Sequence, residues 1–168
     1  MSTSLDKVKA LPNICGIEIS TTGTMLPATI EGYEPFYNTI PSGADFKKTY
    51  TGKAAVAFRE ESTESNAGIS YKQKLTIQFP VSDKARAKRL AYMQQVKYIK
   101  IVLSTGKNLL LGRNDFEQNI RPQVTIKTDE RLGQVTFNTV SIFPTGYTPS
   151  LDTGLPAMFP ISFIPDND

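Results

Sequence analysis

Side chains able to do chemistry are few in this chain, and histidine is absent from all 168 residues. Without it there is no Ser-His-Asp or Cys-His arrangement, no imidazole base and no histidine-built metal site. Cys15 is the single cysteine. A thiol needs a basic neighbour to become a nucleophile, so Cys15 is expected as a small buried apolar residue of a strand. One cysteine forms no intrachain disulfide, which fits a reducing cytosol. Glu60 and Glu64 could serve as a carboxylate pair, yet they fall in a polar tip, residues 60–68, where nothing would desolvate them. Asp129, Glu130 and Asp152 carry oxygens that suit calcium, but the EF-hand spacing is missing and turn formation accounts for them. Gly112-Arg113-Asn114-Asp115 has one glycine and no helical pattern after it, so it reads as an ordinary loop rather than a phosphate cradle. The expectation is a protein that is not an enzyme and uses no cofactor and no metal.

The elements that would position any site are clearest from Ser70 to Phe143. Tyr71, Leu75, Ile77 and Phe79 share one parity and Lys72, Lys74, Thr76 and Gln78 the other, the pattern of a half-buried strand. Pro80 ends it, and Ser82 is expected to cap a helix over Asp83 to Gln95 with an apolar stripe of Ala87, Leu90 and Ala91. Ile99, Ile101 and Leu103 then alternate with Lys100 and Val102, and a turn at Ser104 to Lys107 leads into Leu109-Leu110-Leu111, giving a hairpin. Val124 and Ile126 alternate with Thr125 and Lys127, a turn follows over Asp129 to Gly133, and Val135 opens the last strand. There the apolar parity slips, since Val135 and Phe137 are odd and Val140 and Ile142 even, which predicts a bulge at Asn138-Thr139. Earlier strands are expected at Ile14 to Ser20, with Cys15, Ile17 and Ile19 on one face, and at Ala54 to Arg59, with Val56 and Phe58 inward. The tip after Arg59 would join that strand to the Tyr71 strand as a long hairpin.

The connection at 21–51 has no sustained period and is dense in glycine and proline, yet it holds Tyr33, Phe36, Tyr37, Phe46 and Tyr50. Disordered linkers are poor in aromatics, so these rings must be covered, either by the chain's own sheet or by a neighbouring subunit. Residues 149–168 contain no lysine or arginine, carry Asp152, Asp166 and Asp168, and are broken by Pro149, Pro156, Pro160 and Pro165. Leu155, Met158, Phe159 and Phe163 lie among them, so this stretch is expected as an extended arm laid on its own domain or on a neighbour. Lys84, Arg86, Lys88 and Arg89 make the helix basic, either as a solvated face or as a contact for an acidic partner.

Length sets one domain, residues 1–148, with the arm at 149–168. The fold class is mainly β, an antiparallel β-sandwich or barrel with one short flanking helix and extended N- and C-terminal arms. A net charge of +3, with no aromatics interleaved at stacking spacing, argues against direct nucleic-acid binding. The first residues lack a basic stretch followed by an apolar one, and no apolar run approaches spanning length, so neither secretion by that route nor a membrane is expected.

The order of strand ending in Phe79-Pro80, short helix, Tyr98-Ile99-Lys100-Ile101-Val102-Leu103, the Thr105-Gly106-Lys107 turn, Leu109 to Gly112 and then Val124-Thr125-Ile126 to Phe143-Pro144 resembles small virion structural proteins of tailed bacteriophages, of the β-sandwich type in the tail or neck. The resemblance covers roughly residues 70–147 and rests on element order and turn residues, with no signature motif. It implies a β-sandwich or barrel without enzymatic activity, present in many copies in a virion assembled in the host cytoplasm. On this reading Tyr33, Phe36, Tyr37, Phe46, Lys84, Lys88, Arg89, Leu155, Met158, Phe159 and Phe163 would form contacts with copies of the chain, in a ring or tube, and with other virion proteins. The alternative is a monomeric β-sandwich binding module that holds a ligand such as a glycan on the aromatic loop 33–50.

Overall fold

The computed structural model describes residues 13–24, 40–49, 56–113 and 120–148. Among these residues eight strands and one helix follow in order: β1 (Ile14–Ser20), β2 (Lys47–Lys48), β3 (Val56–Ser65), β4 (Gly68–Pro80), α1 (Arg86–Gln94), β5 (Tyr98–Leu103), β6 (Asn108–Leu111), β7 (Gln123–Thr128) and β8 (Leu132–Ser141). They make two four-stranded sheets, β2-β1-β5-β6 and β3-β4-β8-β7, antiparallel throughout. One core lies between them. Ile17, Ile19, Ile99, Ile101 and Leu103 from the first sheet meet Leu75, Ile77, Phe79, Val135 and Phe137 from the second, and Met93 of α1 joins the same cluster. The sheets stack as in a sandwich and do not close on each other as a barrel. The expected arms, residues 1–12 and 149–168, lie outside the described residues.

Alternation of side chains across a strand explains which residues meet. On β4, Leu75, Ile77 and Phe79 point inward while Lys72 and Lys74 face solvent. The bulge expected at Asn138-Thr139 is not there: β8 pairs with β4 in unbroken register from Tyr71↔Ser141 to Pro80↔Leu132. Inward positions are simply continued by Thr139 and Ser141, and Val140 is turned out with 53% of its surface exposed. Their neighbours on that stretch of the inner face, Gln73 and Glu60, are polar too, so nothing is gained by breaking the ladder to bury Val140. An irregularity does occur in β1, between Ile14 and Gly16, where the register against β5 shifts. It leaves Cys15 unpaired and exposed, which overturns the expectation that this thiol is buried.

The helix also departs from its sequence pattern. Residues 83–85 form a turn, closed by the Arg86 N–H donating to Asp83 O at 3.2 Å, and the helix starts after Ala85 with no side-chain cap from Ser82. Arg89 reaches back to the Asp83 carboxylate and the Pro80 carbonyl, which holds this turn in place of a cap. Ala87 and Ala91 face solvent, whereas Leu90, Tyr92 and Met93 pack on the core. Larger side chains bury more apolar area, and they decide which face turns inward.

Two further segments differ from expectation. Residues 60–65, read as part of a polar tip, continue β3, so that the turn shrinks to Asn66-Ala67. Within the irregular connection, Lys47–Lys48 adds a short strand to the edge of β1, and Thr24 and Ser42 exchange backbone hydrogen bonds of 2.9 Å each. Ser20, fully buried, ties this base together by accepting from the Thr22 and Asp45 amides.

Candidate interaction surface

The two outer faces of the sandwich are unlike. On the first sheet, Tyr98 and Leu110 form a second small cluster that Phe46 covers, and Lys100 lies 4.4 Å from the Phe46 ring centre while pairing with Glu18 at 3.2 Å. Gly112 belongs to this arrangement. Its φ is +103°, and a Cβ there would stand 2.5 Å from the Lys97 carbonyl oxygen, so only glycine fits. The outer face of the second sheet is polar and open. Cross-strand rows place Arg59 beside Lys74 and Asn138, and Glu61 beside Lys72 and Val140. With Gln123 these residues line a groove of about 440 Å³. Two cations directly opposite each other cost stability unless something anionic meets them.

At one end of this sheet β3 and β4 outrun their neighbours. β8 pairs with β4 no further than Tyr71, so Thr63↔Ser70, Glu64↔Ile69 and Ser65↔Gly68 form a two-stranded ribbon. Its side chains are exposed from Thr63 through Ile69, and Ile69 keeps 53% of its surface. An isolated two-stranded ribbon is marginal in water, and nothing among the described residues pairs with its outer edges. The ribbon is fixed at its root. Glu60 Oε2 accepts hydrogen bonds of 2.7 Å from both the Thr145 amide and the Thr145 hydroxyl. Residues 142–148 thereby cross from the second sheet to the first, where Tyr147 bridges Leu109 and the Thr148 amide donates to Asn108 O at 2.8 Å. Glu60 is therefore a clamp between layers, not a tip carboxylate.

The opposite end carries α1 and the turn before β8. Asp129 Oδ1 accepts from the Leu132 and Arg131 amides at 2.6 and 2.7 Å, and these bonds, more than the nearby Arg131 and Arg86 charges, hold its carboxyl below the usual carboxylate range. That is the turn role its sequence suggests. Arg86 donates to the Asp129 carbonyl at 2.9 Å, which ties α1 to the turn.

Of the sequence-selected contact residues, Lys84 and Lys88 are exposed and make no ion pair among the described residues. Arg89 is engaged with Asp83 and Pro80, and Phe46 is half-buried on its own sheet. Tyr33, Phe36, Tyr37, Leu155, Met158, Phe159 and Phe163 lie outside the described residues, as do Asn114, Asp115 and Asp152.

The chain shows no significant match to any family model, curated protein or solved structure. No group of three or more metal-ligating side chains is found among the described residues, and no described helix is long and apolar enough to cross a membrane. Ribbon, polar outer face and helix end are the surfaces left exposed among the described residues.

Sequence reasoning missed Arg59, Lys72 and Lys74 as a shared surface, because they are brought together by pairing between strands. It also missed Glu60. The only sequence signal for that residue is its parity with Val56 and Phe58, which marks it as inward-facing on β3.

Proposed function

We propose that this chain is a non-enzymatic structural subunit that assembles with copies of itself and with neighbouring proteins, as a tail or neck component of a phage virion built in the host cytoplasm. The ribbon carries this reading. Thr63 to Ser70 are held in strand pairing yet cover no core among the described residues, and a strand pair kept without burial is supported best by a neighbour that lies against it. The resemblance in element order to small virion proteins points the same way, and so does the open outer face of the second sheet. Light scattering on the purified full chain across a range of concentrations, with negative-stain images of the same samples, tests the proposal. Rings, tubes or a mass that grows with concentration are expected. A monomer at every concentration, alone and with a phage lysate's particle proteins, would contradict it and favour the ligand-binding module.

A further inference from the structure

We infer that the basic groove on the outer face of the second sheet takes the acidic C-terminal arm, residues 149–168, of an adjacent copy, with Asp166 and Asp168 meeting Lys72 and Lys74. The inference rests on the self-assembly reading and names one of its contacts. The outward positions of β3, β4, β8 and β7 carry Arg59, Lys72, Lys74 and Lys127 against a single carboxylate, Glu61. Glu61 stands opposite Lys72, and Arg59 opposite Lys74, yet none of these four makes an ion pair among the described residues. The groove of about 440 Å³ is therefore lined by three cations to one anion. An anion from outside relieves the opposition of Arg59 and Lys74.

The arm has the opposite character: Asp152, Asp166 and Asp168 are its only charged side chains. In an extended strand, residues two apart share a face and stand roughly 7 Å from each other. That is the relation of Lys72 to Lys74 on β4, and an extended Asp166-Asn167-Asp168 repeats it with the opposite charge. Val140, opposite Lys72 and 53% exposed, is the apolar wall of the groove. Phe163 and Ile164, just ahead of Asp166, supply side chains to cover it.

The point of exit favours a neighbour's groove over the chain's own. The Thr148 amide donates to Asn108 O at 2.8 Å, so the arm leaves from β6 in the first sheet. The groove lies on the far side of the second sheet and faces away from that strand. From Thr148 to Asp166 the chain can extend over roughly 60 Å, which reaches an adjacent body. Arm and groove differ, so the contact is heterologous; every copy gives one arm and receives one, and the series closes as a ring or continues as a tube.

Charge exchange in the full chain tests this. The groove variant K72E/K74E and the arm variant D166K/D168K each set like charges against each other at every contact. Each should raise the concentration needed for assembly roughly tenfold or more, as read by light scattering. A one-to-one mixture of the two should assemble again, because the native arm of one then meets the native groove of the other while the reciprocal contact is reversed in both charges. If K72E/K74E proves unfolded by circular dichroism, K72Q/K74Q replaces it as the groove variant and should show a weaker loss in the same direction. Loss in each variant, with recovery in the mixture of the charge-reversed pair or in the single chain K72E/K74E/D166K/D168K, supports the inference. Assembly by a folded groove variant or by the arm variant at the wild-type concentration, or loss with no recovery in either form, overturns it and leaves self-assembly standing. Failure of the wild-type chain to assemble removes both.

Discussion

From Val56↔Ile77 to Glu60↔Gln73 the β3–β4 ladder lies on a core, and from Thr63↔Ser70 to Ser65↔Gly68 the same ladder, in the same register, lies on none among the described residues. Backbone pairing is alike in the two halves, so hydrogen bonding does not distinguish them. What differs is the third strand and the second layer. β8 backs β4 only as far as Tyr71, and the first sheet's apolar side chains meet only the half that ends at Leu75. The middle is a transition, where Gln73, Thr139 and Ser141 are buried and the Glu60–Thr145 clamp closes the gap between layers. The difference teaches that one hairpin can spend half its length on the core and carry the same pairing beyond it.

Truncations along that hairpin would sharpen the contrast. Leu75→Ala, in the backed half, should lower unfolding free energy by about 2–5 kcal/mol in urea titrations, as expected for a fully buried leucine. Glu60→Ala, at the transition, should cost about 1.5 kcal/mol through loss of two hydrogen bonds to a carboxylate. It should also speed amide hydrogen exchange at Thr145 and Thr148, since the clamp fixes the crossing segment. Ile69→Ala, in the free half, should change stability by less than about 0.5 kcal/mol, and a larger loss would mean that the ribbon has an intramolecular support.

The smallest effect belongs to the turn at the helix end. Asp129 has its carboxyl pKa lowered from the ordinary value of 3.8 by the Leu132 and Arg131 amides. A depressed carboxylate stabilises the fold above its unfolded pKa, and that contribution disappears as pH falls through the folded one. Asp129→Asn should therefore lower the urea midpoint slightly at neutral pH, leave it unchanged at pH values below the folded pKa, and so flatten the decline in stability on acidification, read from urea midpoints at each pH.

How much of this could be read from the sequence follows from what sets each feature. Leu75, Ile77 and Phe79, or Ile99, Ile101 and Leu103, alternate strictly because one sheet face is buried, and that period survives in the sequence. Glu60 to Ser65 has no such period. Those residues are strand because β4 pairs with them, and pairing across a turn is not written in local propensity. The expected bulge failed for a related reason. Val140 is apolar, but the site opposite it on β4 is Lys72 on the outer face, which only the β4–β8 register reveals. Cys15 was misplaced by a bulge that parity alone cannot locate, and Ser82 lost its capping role to Arg89 and Asp83. At the surface, Lys84 and Lys88 are visible in the sequence as a charge cluster, whereas the ribbon is recognisable only from the run of β3 on to Ser65.

The most direct measurement replaces residues 63–70 by an Asn-Gly turn joining Ser62 to Tyr71, and follows mass by light scattering as concentration is raised. If the free half of the hairpin serves association, this variant stays monomeric and still unfolds in one cooperative step at close to the wild-type urea midpoint. A mass distribution indistinguishable from that of the intact chain would contradict the account.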